Sequence, residues 1–283
     1  MTGPEWERNE VNLPIEKGRE TCYPLLGVIS MDYDKLLNMV TELGYQLMYS
    51  GAEIYRAEES IYRLLRAYGL EDPQVFAIPN CLIVSVTTPQ GHPITRMRRI
   101  PGHGTNLELL ERCNDLCRRL CFDPVPLDQA QTEVAAIGGT VRLYQPLKIL
   151  LGYGLAPAFF TPLFGGGLRD SVCAFVCGLI VGICQLFGGR FIGSNSFFRT
   201  VICSAIASLA SLLLVRVGLG MDVDKVTIGV LMLLVPGAAL TNAMREIMAG
   251  DIISGVSRMA EVILLASAIA LGVMVGLWIG QIL

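Results

Sequence analysis

From Asp32 onward the chain shows apolar stripes at helical spacing. Leu36, Val40, Leu43 and Leu47 recur at three- and four-residue intervals, which lines one face of a helix ending near Gly51, where glycine tolerates the left-handed cap. Ile54, Ala57, Ile61, Leu64, Leu65 and Tyr68 repeat the stripe on a second helix closed by Gly69. The period then changes. Gln74–Ile78, Cys81–Thr87 and Pro93–Ile100 read as three strands, the middle one rich in β-branched residues, and Pro89-Gln-Gly-His92 has the composition of a turn. Thr105 followed by Glu108 fits a capping box that opens a helix through about Cys121, and Leu127–Ile137 predicts one more. Residues 31–141 are therefore expected to form an α+β domain, preceded at 1–30 by a loosely ordered arm with scattered proline, glycine and charge.

Beyond Pro146 periodicity gives way to apolar runs of the length that crosses a bilayer, for which about 20 residues are needed. The expected spans are Leu147–Phe164, Leu168–Phe187, Phe198–Leu219, Val223–Met244 and Ser254–Ile282, so residues 142–283 read as a domain of five transmembrane helices. Composition agrees. Of 283 residues 52% are hydrophobic and 17% charged, against about 25% charged in an ordinary soluble domain. Residues 1–146 carry a net charge of −5 and residues 147–283 only 14 charges in all, which excludes a wholly soluble protein and makes nucleic acid an ill-suited partner.

Met1–Glu20 is acidic and lacks the features of a signal peptide, so the α+β domain is expected in the cytoplasm. Arg142, Lys148, Arg190, Arg199, Arg245 and Arg258 would face it, against Arg169, Arg216 and Lys225 on the other side. That asymmetry predicts a cytoplasmic N-terminus and an external C-terminus in the cytoplasmic membrane. Nine scattered cysteines suit a reducing compartment. Cys113, Cys117 and Cys121 share a helix face without a CxxC pair, and His92 and His103 have no metal-binding spacing, so neither a metal nor a cofactor is assigned.

The candidate chemistry lies in the fourth expected span. Pro236 inside an apolar helix removes a hydrogen bond and clashes with the carbonyl four residues back, and Gly237 eases the bend. Such a break is either a structural kink or the kind of discontinuity from which transport sites are built. One or two turns later, Thr241 and Asn242 stand four and three residues before Arg245, so that hydroxyl, amide and guanidinium fall on one side and suit a carboxylate. Arg245 alternatively reaches back to the headgroups. A second cluster, Asp251, Ser254, Ser257, Arg258 and Glu261, reads either as proton coupling or as an ion pair of Arg258 with Glu261 or Glu246.

Val235-Pro-Gly-Ala-Ala-Leu-Thr-Asn-Ala-Met-Arg-Glu-Ile247, Gly250-Asp251 and Ser254-Gly-Val-Ser-Arg258 resemble the "VPG-x-x-x-x-N-A…G-x-x-x-x-G-x-x-R" stretch of the threonine/serine exporter family. Gly44-Tyr-Gln-Leu-Met-Tyr-Ser-Gly-Ala-Glu53, Pro79-Asn80 and Thr95-Arg-Met-Arg-Arg99 resemble its soluble domain. With five spans the resemblance implies the split form, in which a subunit of this kind works with a small all-membrane partner, or in an oligomer, to export threonine and serine or a dicarboxylate such as succinate. By position it carries Pro236, Gly237, Asn242 and Arg258 into the site, while Arg245 enters on the physical argument alone. The competing readings are an enzyme or sensor anchored by its spans and a passive metabolite channel.

Overall fold

The computed structural model describes residues 32–102, 104–140, 144–188 and 195–282. The expected arm at 1–30, His103, Arg142, Arg190 and Gly189, which the sequence suggests as part of a turn between spans, lie outside them.

Helices α1 (Tyr33–Tyr49) and α2 (Ile54–Ala67) lie against a three-stranded antiparallel sheet, β1 (Gln74–Ile78), β2 (Cys81–Thr87) and β3 (Pro93–Arg99), in the order β1-β2-β3. The expected stripes face inward: Leu36, Val40, Leu43 and Leu47 of α1 and Ile61, Leu64 and Leu65 of α2 are buried. β2 runs down the middle, pairing Val84 with Val75 on one side and with Arg96 on the other. Its Leu82, Val84 and Val86 point into the helices, as alternation on a one-sided sheet requires. Two further helices, α3 (Leu107–Phe122) and α4 (Leu127–Thr140), complete the layer, with Cys113 and Cys117 packed in the core. α3 starts one residue later than the Thr105/Glu108 box implies. Asn106 caps it by accepting from the Leu109 N–H at 3.1 Å, and Glu108 instead holds Arg112 at 2.6 Å.

Then come α5 (Pro146–Leu163), α6 (Leu168–Gly188), α7 (Ser196–Arg216), α8 (Val223–Leu231), α9 (Gly237–Ala249) and α10 (Ile252–Ile282). Among the described residues three helices, not five, are long and apolar enough to cross a membrane: Leu168–Leu186, Ser196–Arg216 and Ile252–Ile282. Both shortfalls have a physical cause. α5 has 18 residues, but Lys148, prolines 146, 157 and 162 and two glycines dilute its apolar content. The expected span Val223–Met244 is two helices, and the nine residues of α8 reach only about 14 Å.

The helical half is built inside out relative to a soluble bundle. Its buried centre is small, with Cys173, Ala174, Cys177, Cys203 and Ala207 set against Val226 and Val230. Leu147, Leu151, Leu155, Phe159 and Leu163 recur every four residues along the exposed face of α5, and Ile263, Leu264, Leu271, Met274 and Trp278 are exposed on α10. Large apolar residues outside and small ones between the helices are what a hydrocarbon solvent favours.

Candidate functional site

The break at Pro236 is a full interruption. α8 ends at Leu231, after which the Leu233 and Leu234 N–H groups donate to Val230 and Leu231 at 3.1 and 2.8 Å, in tight turns. The Gly237 N–H donates to the Val235 carbonyl at 2.9 Å, and the Pro236 carbonyl starts α9 by accepting from Leu240 at 3.0 Å. The two pieces go separate ways. α8 packs against α5, α6 and α7, whereas α9 packs against α10 and reaches α2 of the N-terminal layer.

What α9 meets is the loop between α1 and α2. Gly51 leaves α1 at φ +95, a conformation that an L side chain would strain, and a Cβ there would lie 2.5 Å from the Gly104 carbonyl oxygen. That turn presents residues 51–54 to α9 in three polar contacts. Asn242 Nδ2 donates to the Gly51 carbonyl at 3.4 Å, Arg245 Nη1 to Glu53 Oε1 at 2.8 Å, and the Ile54 N–H to Glu246 Oε1 at 3.2 Å. Ile54 is the first residue of α2, so its N–H has no partner within the helix, and Glu246 caps it from another element with a charge that suits the helix N-terminus. Glu246 in turn pairs with Arg258 at 3.2 Å, both side chains being buried.

An open cleft of about 240 Å³ lies along this seam, with Glu53, Arg56, Thr105, Asn114, Asn242 and Arg245 among its lining. Glu53 is anchored on several sides. Tyr55 donates its hydroxyl to Glu53 Oε2 at 2.9 Å and Arg56 Nε stands 2.5 Å from the same oxygen. Burial pulls the Glu53 carboxyl upward, but the bonds from Arg245 and Tyr55 and the two guanidinium charges outweigh it and hold it below the usual carboxylate range. Just behind, burial pushes Glu58 up to about 7. The Ala77 N–H bonded to it at 2.5 Å opposes that shift, and the charge of Asp251 adds to it. Burial also raises Asp251, at the elbow between α9 and α10.

Of the expected site residues, Asn242 and Arg245 line the cleft. Pro236 and Gly237 do not, although their neighbour Ala238 does. Thr241 is exposed and its hydroxyl donates to the Gly237 carbonyl of its own helix at 3.0 Å. Arg258 lies behind the seam in the pair with Glu246, and Glu261 is exposed one turn further along α10. Sequence reasoning missed Glu53, Arg56 and Asn114, which line the cleft. Glu53 alone carried a signal, as the last residue of the Gly44–Glu53 stretch that supports the family resemblance.

A family profile described as "Putative threonine/serine exporter" matches residues 38–280. The chain belongs to this threonine/serine exporter family. The match takes in every residue of the seam from Glu53 to Arg258. Its curated relatives include the pheromone-regulated membrane protein 10 of Debaryomyces hansenii, 28% identical over 81% of this chain and 23% of that protein. They also include the threonine/serine exporter of Corynebacterium glutamicum, 22% identical over 92% of this chain and 55% of that protein. A third, from Mycobacterium tuberculosis, is named a probable threonine/serine exporter and is 23% identical over 89% of this chain and 47% of its own length. The chain thus spans about a quarter of the yeast relative and about half of the two bacterial ones. No solved structure matches it.

Proposed function

We propose that this protein is a subunit of a membrane exporter of small carboxylate metabolites, threonine and serine or a dicarboxylate such as succinate. The observation that carries the reading is the interrupted helix α8–α9, whose second piece faces a charged cleft on the N-terminal layer. Residues 142–283 form the membrane part and residues 31–141 a cytosolic domain that stands over its entrance. A discontinuous helix frees backbone from the regular ladder, and the donors of Asn242 and Arg245 lie about one and a half to two and a half turns beyond the break, where a carboxylate is received. Pro236 and Gly237 act as the bend, Thr241 lies on the approach, and Arg258, with Glu246, Asp251 and Glu261, forms a charged support of the connection between α9 and α10. The chain resides in the cytoplasmic membrane with its N-terminus inside and its C-terminus outside. A small all-membrane subunit, or a second copy of the chain, completes the path.

The test is efflux of radiolabelled threonine, serine and succinate from proteoliposomes holding the chain with its co-expressed membrane partner. Flux above that of empty vesicles, lost in an Asn242→Ala/Arg245→Ala variant that still melts cooperatively, is the expected result. Absence of flux for all three solutes, or equal flux from the folded variant, overturns the reading.

A further inference from the structure

Helices α7 and α10 run parallel and in register. A Cβ added at Gly272, Gly276 or Gly280 would stand 1.9 Å from Ser204 Oγ, 2.1 Å from Ser208 Oγ or 3.2 Å from a Leu212 methyl, so each step of four along one helix matches a step of four along the other. That register sets Ser196, the first residue of α7, level with Leu264. α6 runs antiparallel to α7, with the Ser211 hydroxyl donating to Cys177 Sγ at 3.6 Å, and ends near the same level. The 21 residues of α7 measure about 31 Å, close to the thickness of a hydrocarbon core. The level of Ser196 is therefore the membrane face nearer the N-terminal layer, and α10 from Ile252 to Leu264 projects about 18 Å beyond it.

Helix α9 lies along this projecting half, so close that a Cβ at Gly255 would stand 3.0 Å from the Ala243 carbonyl oxygen. One flank of the pair carries Asn242, Arg245 and Glu246 to the N-terminal layer. The opposite flank carries Leu240, Met244, Met248, Ile252 and Val256, each between 42% and 82% exposed, and no ionisable side chain. Water, not hydrocarbon, is the solvent at this height. These side chains leave roughly 600 Å² of apolar surface open, as much as the largest patch on a monomer, and Ile263 and Met274 continue the strip up α10 toward the ~800 Å² that each side of a standard interface contributes.

We infer that this flank is the contact with a second copy of the chain, related by a two-fold axis along the membrane normal. The inference rests on the membrane reading of residues 142–283, and of the two completing chains proposed above it selects the second copy for this face. A subunit confined to the bilayer has nothing to set against a surface that projects this far beyond it. A second copy in the same membrane offers apolar side chains at the same heights, both outside the bilayer and, through Ile263 and Met274, within it. Because the flank holds no ionisable group, no like charges meet across the axis. The charged clefts, on the flank that faces the N-terminal layer, point away from the axis and stay open.

Counting photobleaching steps of the fluorescently tagged full-length chain, diluted in lipid vesicles, tests this. The expected result is two-step bleaching that persists on dilution. Met248→Glu/Val256→Glu should weaken the association at least tenfold, while Phe122→Glu, at an exposed site on α3, leaves it unchanged. A p-benzoylphenylalanine in place of Met248 keeps the flank apolar and reads the contact without a charged variant. Ultraviolet light should then join two copies from this position and not from Leu155, which is exposed on α5. Single-step bleaching throughout, a dimer indifferent to a folded double variant, or capture of lipid or of the all-membrane subunit from position 248 overturns the inference. Dimers without flux in the proteoliposomes would uphold the contact and count against the exporter reading, and flux from single copies would overturn the contact alone.

Discussion

Glu246 of α9 and Arg258 of α10 meet at 3.2 Å with side-chain exposures of 0% and 5%, and each keeps one buried atom, Oε2 and Nε, without a hydrogen-bond partner. Together with the Ile54 N–H on Glu246, this places a charged tie between α2, α9 and α10. Removing one member strands the other, which typically costs about 3–5 kcal/mol, whereas replacing both by apolar residues of similar size is often near neutral. Arg258→Met is therefore expected to lower stability by about that amount, and Glu246→Met/Arg258→Met to recover most of it. Denaturant unfolding in detergent reads the difference. Equal losses in the single and double variants would mean that the charge pairing is not what holds the hairpin.

Gly272 and Gly276 let α10 lie directly on α7. A Cβ added at Gly272 would stand 1.9 Å from Ser204 Oγ and 2.2 Å from the Val201 carbonyl oxygen, and one at Gly276 would stand 2.1 Å from Ser208 Oγ and 2.3 Å from the Ala205 carbonyl oxygen. Trimming the serines cannot make room, because backbone is in the way. Gly276→Ala is expected to cost about 1–3 kcal/mol as the helices separate. Gly237→Ala, where the added carbon meets nothing within 4 Å, should leave the melting temperature nearly unchanged. Both are read from thermal melts of the detergent-solubilised protein, and a Gly276→Ala variant as stable as Gly237→Ala would refute the packing argument.

The elements that sequence patterning located well are those whose signal is local. The stripe Leu36–Val40–Leu43–Leu47 and the alternation in β2 each report a single buried face, and both are where they were expected. The interruption at Pro236 was legible because proline acts on its own helix. The destination of α9 was not. A kinked helix that continues across the bilayer and a short one that turns aside onto α2 share one hydropathy profile. The contacts that decide between them, such as Arg245 with Glu53, join residues 192 positions apart. For the same reason Asn242 and Arg245 were recognisable as carboxylate donors, while the acid and base opposite them, Glu53 and Arg56, looked like ordinary charges at the start of an amphipathic helix.

Asp170, near the start of α6, is a buried acid with a purely structural geometry. Its carboxylate accepts from the Gly167 N–H at 2.9 Å and, across the bundle, from the Met221 and Asp222 N–H groups at 2.7 and 3.1 Å. These bonds close the Gly165–Gly167 turn and fasten the α7–α8 connection to it. Asp170→Ala leaves three donors without this acceptor, and with charge-assisted bonds worth about 1.5–3 kcal/mol each before compensation by water, a net loss of roughly 3 kcal/mol is expected. Amide exchange should rise at 219–222 while that of α1 and α2 stays as it was. Unchanged protection at 219–222 would contradict the assignment.

Glu58 makes the seam sensitive to pH in a direction that can be stated. Burial first, and the charge of Asp251 in addition, raise its carboxyl from the ordinary 4.5 to about 7, although the Ala77 N–H works the other way. The folded protein therefore binds more protons than the unfolded chain between those two values. Its stability then falls as pH rises through that interval, and the destabilisation is absent below 4.5 and complete above about 7. Glu58→Gln, which keeps an oxygen to accept from Ala77 and carries no charge toward Asp251, is expected to flatten this part of the pH profile and to raise the melting temperature most at the alkaline end. Scanning fluorimetry of the two proteins across that range decides the point, since parallel profiles would assign the pH dependence to other groups. Glu53 shifts the other way: burial pulls it upward, but its bonds from Arg245 and Tyr55 and the neighbouring guanidinium charges hold it below the usual carboxylate range, so the alkaline loss of stability is assigned to Glu58 and not to Glu53.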